Sequence, residues 1–199
     1  MLKSYMYRNL VEAGCDEAGR GCLAGPVTAA AVILPRNYKN PDLNDSKKLT
    51  AKQRNILRNE IMDTALAWHV AFIDNMEIDS LNILRATFKA MHLAIGGLKK
   101  VPQHLLVDGN RFQPYGNIEH TAVVAGDSLF LPIAAASVLA KTFRDEFMEK
   151  IHEEYPCYGW NTNKGYGTPF HRKAILRHGI SPYHRKSFSL FNTQMSFGF

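Results

Sequence analysis

Apolar residues along the chain switch between two spacings, and the switches outline the elements. Leu10 to Cys15 is a short, mostly apolar run ending at Asp16, which predicts a strand. Pro26 to Leu34 (PVTAAAVIL) is a second run with β-branched residues. The glycine-rich stretch Gly19 to Gly25 (GRGCLAG) separates the two, so a hairpin-like pair is expected. Pro35 to Leu49 is polar and reads as a loop. Thr50 then opens a helix, with Gln53 completing a T-x-x-Q capping box, and the helix is expected to reach about Ala67. Trp68 to Ile73 reads as a strand. Leu81 to Ile95 has helical spacing, and its stripe Phe88, Met91 and Ile95 reads as core; Gly96 and Gly97 end it.

Two short strands follow, His104 to Val107 before Asp108-Gly109, and Thr121 to Ala125 before Gly126-Asp127. A long helix is predicted from about Leu129 to Tyr155, apolar all round in its first half and therefore buried there, with Pro156 as its stop. Thr168-Pro169 opens a last helix and Gly179 closes it. The pattern is that of an α/β domain with a mixed central β-sheet flanked by helices. It divides into a core, residues 1–155, and a C-terminal helical and basic segment, residues 156–199.

Composition adds limits. A chain of 199 residues with 46% apolar residues can bury a full core in one domain. The net charge of +6 is uneven: residues 1–100 carry +4, residues 101–160 carry −4, and residues 161–199 carry +6 with no acid at all. A basic end facing an acidic middle suits a polyanion held near a metal, although a solvated basic tail would read the same way. Three cysteines, Cys15, Cys22 and Cys157, form no CxxC pair, so neither a zinc site nor a disulfide framework is expected and a reduced cytoplasm fits. The N-terminus lacks an apolar signal region. The longest apolar run, Leu129 to Ala140, is too short for a bilayer and contains Pro132. A cytoplasmic monomer with no membrane partner is expected.

The chemistry gathers at strand ends. Asp16-Glu17, Asp108 and Asp127 each follow a predicted strand, and ligands of open α/β sheets bind beyond the strand ends. Clustered carboxylates repel one another unless a cation intervenes, and oxygen-only ligands favour magnesium or manganese. Two such ions about 3.5–4 Å apart can activate a water and stabilise the leaving oxygen of a phosphodiester. The plain alternative is that these acids cap turns, which is strongest for Asp108 in VDGN and weakest for the adjacent pair Asp16-Glu17. Gly19-Arg20-Gly21 follows the pair at once and lets backbone approach a ligand, as it would any tight turn.

With these residues in view, the chain resembles the ribonuclease HII family over nearly its whole length, from about Val11 to Phe188. The resemblance rests on DEAGRG (Asp16 to Gly21), LAGPV (Leu23 to Val27), DSKKL (Asp45 to Leu49), NIL (Asn82 to Leu84), VDGN (Val107 to Asn110), Gly126-Asp127, AAASVLAK (Ala134 to Lys141), Arg144-Asp145, KGYGT (Lys164 to Thr168) and HRKSF (His184 to Phe188). It implies an RNase H-like fold and an endonuclease that cuts RNA in RNA–DNA hybrids and incises at ribonucleotides embedded in duplex DNA. It also implies two-metal catalysis with Mn²⁺ or Mg²⁺, leaving 3′-hydroxyl and 5′-phosphate ends. Asp16, Glu17, Asp108 and Asp127 become the catalytic metal-binding acids. Gly19, Arg20 and Gly21 become the turn that reads the 2′-hydroxyl, Tyr166 the ring that packs on the junction sugar, and Lys47, Lys48 and Lys141 phosphate contacts. General physics agrees: the 2′-hydroxyl marks RNA, a ring stacks without base preference, and lysines give salt-sensitive affinity. Ala18 stands where valine is frequent and Cys22 where proline is frequent, and neither removes a ligand. Arg20 and an acid pair fifteen residues from the start favour HII over its sister family HIII.

Other residues have plainer readings. His171, His178 and His184 read as satisfied or exposed histidines rather than catalytic ones. The tail Gln194 to Phe199 (QMSFGF) loosely resembles peptides that bind a sliding clamp, a frayed terminus being the simpler reading. Two other functions stay open at this point. One is a non-catalytic basic module for structured nucleic acid, which the strand-end acids argue against. The other is a different nuclease or recombinase on the same fold, which would need neither the glycine turn nor Tyr166.

Overall fold

The structure, a computed structural model, describes residues 2–46 and 48–190. Its centre is one five-stranded mixed sheet in the order β3-β2-β1-β4-β5. β1 (Glu12–Ala18), β2 (Val27–Ile33) and β3 (Ala67–Ile73) pair antiparallel, whereas β4 (His104–Asp108) and β5 (Glu119–Val123) extend the sheet in parallel from β1. Helices cover both faces, which makes this an α/β, RNase H-like fold.

Every residue of β2 is buried, because alternate side chains of a strand meet opposite layers. Val27, Ala29, Ala31 and Ile33 share one cluster with Ala86, Ala90, Met91 and Ala94 of α3 (Ile83–Gly96). Ala30 and Val32 share the other with Ala134, Ala135, Val138 and Leu139 of α4 (Leu131–Glu154). The alanines let both helices lie close to the sheet. Gly14 of β1 takes this furthest: a Cβ there would stand 2.0 Å from the carbonyl carbon of Pro132. The start of α4 therefore crosses directly over β1, two residues from Asp16.

Helix α1 (Ala51–Thr64) begins as predicted, with Thr50 and Gln53 making both bonds of the capping box. Only Leu57 and Ile61 of this helix are buried. Each contributes about 1.5–3 kcal/mol by burial, so Ile61→Ala would loosen the packing of α1 on α4. The helix stops at Thr64 rather than near Ala67, because Ala65 is extended and the chain turns into β3 at Ala67.

Other boundaries differ for local reasons. β1 runs past Cys15 to Ala18, since Asp16, Glu17 and Ala18 still pair with Ala30, Ala29 and Thr28. β5 lies two residues earlier than expected, at Glu119–Val123. The segment before α3 contains α2 (Asn75–Leu81), capped by Asp74 onto the Glu77 amide, which is too short to show an apolar period. Asn82, at φ 71°, separates α2 from α3 and caps α3 with its side chain.

Beyond α4 the chain forms a 3-10 turn (Pro156–Tyr158), the short α5 (Trp160–Asn163) and α6 (Pro169–His178). These share one cluster with Leu23 and Ala24 of the β1–β2 loop and with Met148 and Ile151 of α4. Among the described residues no helix is long and apolar enough to cross a membrane.

Candidate metal and nucleic-acid site

The sheet register sets the acids side by side. β1 and β4 run parallel and pair as far as Cys15 with Val107, so the next residue on each strand, Asp16 and Asp108, comes at the same level. Asp16 is 5% exposed. Its carboxyl is pushed well above the usual range by burial first, then by the charges of Glu17 and Asp108. Hydrogen bonds from the Ser137 hydroxyl and the Glu17 amide (2.7 Å) oppose that rise. Burial, with the neighbouring Asp16 and Glu17 charges, likewise pushes up the Cys15 thiol. A desolvated carboxylate among like charges calls for a cation.

Asp108 accepts a bond from the Gly126 amide at 2.7 Å. That bond ties β4 to the 3-10 turn Gly126–Ser128, which carries the buried Asp127. Asp127 thus comes from a turn four residues beyond β5, not from a strand end. Glu17 Oε1 meets Arg20 Nη1 at 3.1 Å. Among the described residues no three His, Cys, Asp or Glu side chains form a ready-made cation cage. Asp16, Glu17 and Asp108 are near enough to perturb one another electrostatically, but Glu17 leans toward Arg20 and Asp108 toward Gly126. The donor set, all oxygen and partly buried, still fits a hard divalent ion.

Ser137 was hidden in sequence inside the apolar run AAASVLAK. Its hydroxyl lies 2.9 Å from that of Ser46, in the DSKKL stretch. The loop before α1 is thereby linked through α4 to the side chain that favours the ionised form of the buried acid.

A cavity of about 320 Å³ opens beside the acids, lined by Glu17, Arg20, Asp108 and Arg111 on one side and by Leu84 and Phe88 of α3 on the other. Met91 and Ile95 are core, as expected, while Phe88 is only partly buried and forms part of the cavity wall. A larger cavity of about 630 Å³ between α1 and α4 touches none of the four acids. Its cations are held by acids, Arg58 by Glu146 at 2.7 Å and Lys164 by Glu149 at 2.6 Å.

Gly19, Arg20 and Gly21 leave β1 directly after the acid pair. Tyr166 joins them through a bridge to Cys22 and stays 44% exposed. Burial first, then the neighbouring Cys22, pushes the Tyr166 hydroxyl above the usual phenol range. Gly165 permits the approach: at φ 84°, a Cβ there would lie 2.5 Å from the Ala24 carbonyl oxygen.

The predicted lysines are scattered. Lys48 is exposed, its amide bonded to the Asp45 carbonyl. Lys141 is paired with Asp145 at 2.7 Å. Lys47 and the tail Gln194 to Phe199 lie outside the described residues. The basic C-terminal segment is also less free than its charge suggested. Lys164 is paired, Arg172 donates to the carbonyls of Gly167, Ser189 and Leu190, and Arg185 is wholly buried. His171 and His184 are buried and hydrogen-bonded, whereas His178 is exposed.

Comparison with known proteins agrees with this geometry. A family model, Ribonuclease HII, matches residues 13–191. Ribonuclease HII of Bacteroides thetaiotaomicron is 60% identical over 190 residues, covering 96% of this chain and 95% of that protein. Ribonuclease HII of Parabacteroides distasonis is 59% identical over the full length of both. Among solved structures, the PCNA:RNase HII complex from Archaeoglobus fulgidus aligns with a TM-score of 0.77 at 25% identity, covering 94% of this chain and 98% of that one. Bst-RNase HIII in complex with Mn²⁺ aligns with a TM-score of 0.73 at 16% identity, covering 90% and 67%. With the acids, the glycine turn and Tyr166 gathered at one end of the sheet, these matches establish that the chain belongs to the ribonuclease HII family and is a ribonuclease H-type hydrolase.

Proposed function

We propose that the protein is an endonuclease that hydrolyses the RNA strand of RNA–DNA hybrids and incises at single ribonucleotides embedded in duplex DNA, using two divalent ions. The observation that carries this reading is Asp16, a carboxylate buried beside Glu17 and Asp108, one turn away from glycines and a half-exposed tyrosine. The acids supply the chemistry and the turn recognises the ribose.

Asp16, Glu17, Asp108 and Asp127 would hold Mg²⁺ or Mn²⁺. When bound, such ions make an attacking water more acidic and offset charge on the phosphodiester oxygens. Asp16 is held for this by Ser137 and by its neighbour's amide, and Asp108 by Gly126. Glu17 would exchange Arg20 for the cation, leaving the Arg20 guanidinium for a phosphate. The Gly19 to Gly21 turn would take the 2′-hydroxyl, and the Tyr166 ring would lie on the junction sugar. Lys47 and Lys48 would contact phosphates, as would Lys141 on leaving Asp145. Cleavage on the 3′-oxygen side of the phosphate leaves 3′-hydroxyl and 5′-phosphate ends.

Residues 1–155 act in this reading as the catalytic core, and residues 156–199 complete the substrate face by carrying Tyr166. The enzyme works as a cytoplasmic monomer, and the tail Gln194 to Phe199 offers a sliding clamp a short docking peptide. Deleting residues 194–199 would then weaken clamp binding while sparing incision, and unchanged clamp affinity in a titration would dispose of that part.

The deciding experiment is incision of a DNA duplex containing one ribonucleotide, with an all-DNA duplex as control and Mg²⁺ or Mn²⁺ present. The expected result is a single metal-dependent cut at the ribonucleotide. Equal cutting of both duplexes, or undiminished cutting in chelator, would refute it.

A further inference from the structure

The HRKSF stretch (His184 to Phe188) carries no role in the reading above, yet its arginine is one of the most enclosed side chains of the molecule. Arg185 is 0% exposed. Its guanidinium spans three backbone carbonyls: Nη2 donates to Gly19 at 2.8 Å, Nη1 to Arg20 at 2.9 Å and Nε to Gly25 at 3.0 Å. Burying a cation is costly, and here burial pulls the guanidinium down to about 10. A turn that needed only to be closed has a cheaper device in its own Cys22 amide, which reaches the Gly19 carbonyl at 3.4 Å.

The grip has a geometric consequence. A trans peptide is planar, with its C=O and N–H pointing in opposite directions. Holding the Gly19 carbonyl inward turns the Arg20 N–H outward. Holding the Arg20 carbonyl inward turns the Gly21 N–H outward. Among the described residues neither amide donates to a protein acceptor. Both belong to exposed residues, and a Cβ at Gly21 would meet nothing within 4 Å, so the space they face is open. A guanidinium on each carbonyl also polarises the peptide and strengthens the N–H on its far side.

We propose that Arg185 is a positioning residue for ribose recognition: by fixing the Gly19 and Arg20 carbonyls it aims the Arg20 and Gly21 amides at the 2′-hydroxyl of the substrate. This rests on the reading of the Gly19 to Gly21 turn as the ribose reader. Its planar fork matters more than its charge, since an ammonium cannot span three carbonyls. Arg144 is the natural comparison. It is equally buried, but its guanidinium holds Pro26, Lys164 and Ala24, not the turn's two carbonyls.

The test measures binding of two duplexes in chelator, alike except for one ribonucleotide, by wild type, Arg185→Lys and Arg144→Lys. Wild type should prefer the ribonucleotide duplex. Arg185→Lys should lose about tenfold of that preference, the equivalent of about 1.4 kcal/mol, with all-DNA binding unchanged within about twofold. Arg144→Lys should keep more of the preference at comparable loss of thermal stability. An equal loss on both duplexes would mean a merely structural arginine and overturn the proposal, as would full retention of the preference. Absence of any preference in wild type would instead overturn the ribose reading beneath it. Should Arg185→Lys fail to fold, amide exchange in the wild-type protein decides. The Arg20 and Gly21 amides should exchange fast when free and become protected by the ribonucleotide duplex but not by the all-DNA one. Protection in the free protein, or identical behaviour with both duplexes, would end the proposal.

Discussion

The Nε2 atoms of His171 and His184 lie 3.1 Å apart, and both rings are fully buried. Their surroundings fix both as neutral. Trp160 Nε1 donates to His171 Nε2 at 3.0 Å, so His171 carries its proton on Nδ1 and gives it to the Tyr166 carbonyl at 2.9 Å. His184 Nδ1 accepts from the Ser181 amide at 2.9 Å, so its proton sits on Nε2 and goes to His171. A second proton on either ring would face a donor. This pair therefore fastens the backbone of Tyr166, and it should confer a pH dependence. Burial, then the neighbouring His171, holds His184 down at about 4, and burial also lowers His171. Above about pH 6.5 both folded and unfolded chains leave His184 neutral, and stability from it is full. As pH falls from there toward about 4, only the unfolded chain takes up the proton, and stability drops by up to about 3 kcal/mol. Denaturant unfolding from pH 7 downward measures this. His184→Gln should be less stable at pH 7 and show a shallower slope, and parallel curves for the two proteins would remove the histidine from the account.

How much of this was legible in sequence depends on what each signal encodes. The Thr50 capping box, the α4 stop at Pro156 and the last helix between Thr168 and Gly179 are local, and they were readable. The oddity of Asp16-Glu17 after an apolar run was readable too, and the structure buries Asp16 beside Glu17 and Asp108. The α2 helix was not readable, since seven residues show no period, and Asp127 appeared to end a strand because its turn is too short to announce itself. Arg144 and Arg185 were the largest omission. Pattern reading counts arginine as surface, yet these two satisfy carbonyls up to 166 residues away, a relation no window along the chain can contain. Ser137 was missed for a related reason: one hydroxyl in an apolar helix reads as neutral until the strand beside it is known to bear Asp16.

The glycine turn separates backbone need from ligand need. Gly19 has φ 93°, and a Cβ there would fall 2.0 Å from Arg144 Nε. Gly19→Ala should therefore destabilise the fold by about 2–4 kcal/mol through left-handed strain and overlap. Gly21 is free of both constraints. Gly21→Ala should melt within about 2 °C of wild type, while its methyl, placed in the open space beside the Arg20 and Gly21 amides, lowers incision at a ribonucleotide by about tenfold or more. Thermal melts with single-turnover incision test both. An unstable Gly21→Ala, or one that is stable and fully active, would contradict this division.

Ser137 should act through the metal requirement. Removing its hydroxyl withdraws one of the two bonds that favour the ionised form of Asp16 against burial and leaves the Ser46 hydroxyl without that partner. Ser137→Ala should need about 10–100 times more Mg²⁺ for half-maximal incision, the range found for groups that support metal ligands, and should regain most of its rate at saturating ion. A titration of rate against ion concentration decides. An unchanged midpoint would mean that the hydroxyl only fills space between α4 and β1.

Asp16→Asn gives the sharpest test of the acids, because chemistry and stability should move in opposite directions. Asparagine keeps the size of the side chain and removes a charge that is buried beside Glu17 and Asp108. Incision should fall by at least about a thousandfold, or about 4 kcal/mol of transition-state stabilisation. The folded state without metal should be as stable as wild type or gain about 1 kcal/mol, since the repulsion disappears. Ion linkage gives a second measure. Mg²⁺ or Mn²⁺ should raise the melting temperature of wild type, because an ion that binds only the folded chain stabilises it in proportion to its occupancy, and that rise should shrink in Asp16→Asn. A variant that still cuts, or that gains as much from the ion as wild type does, would move the metal away from Asp16.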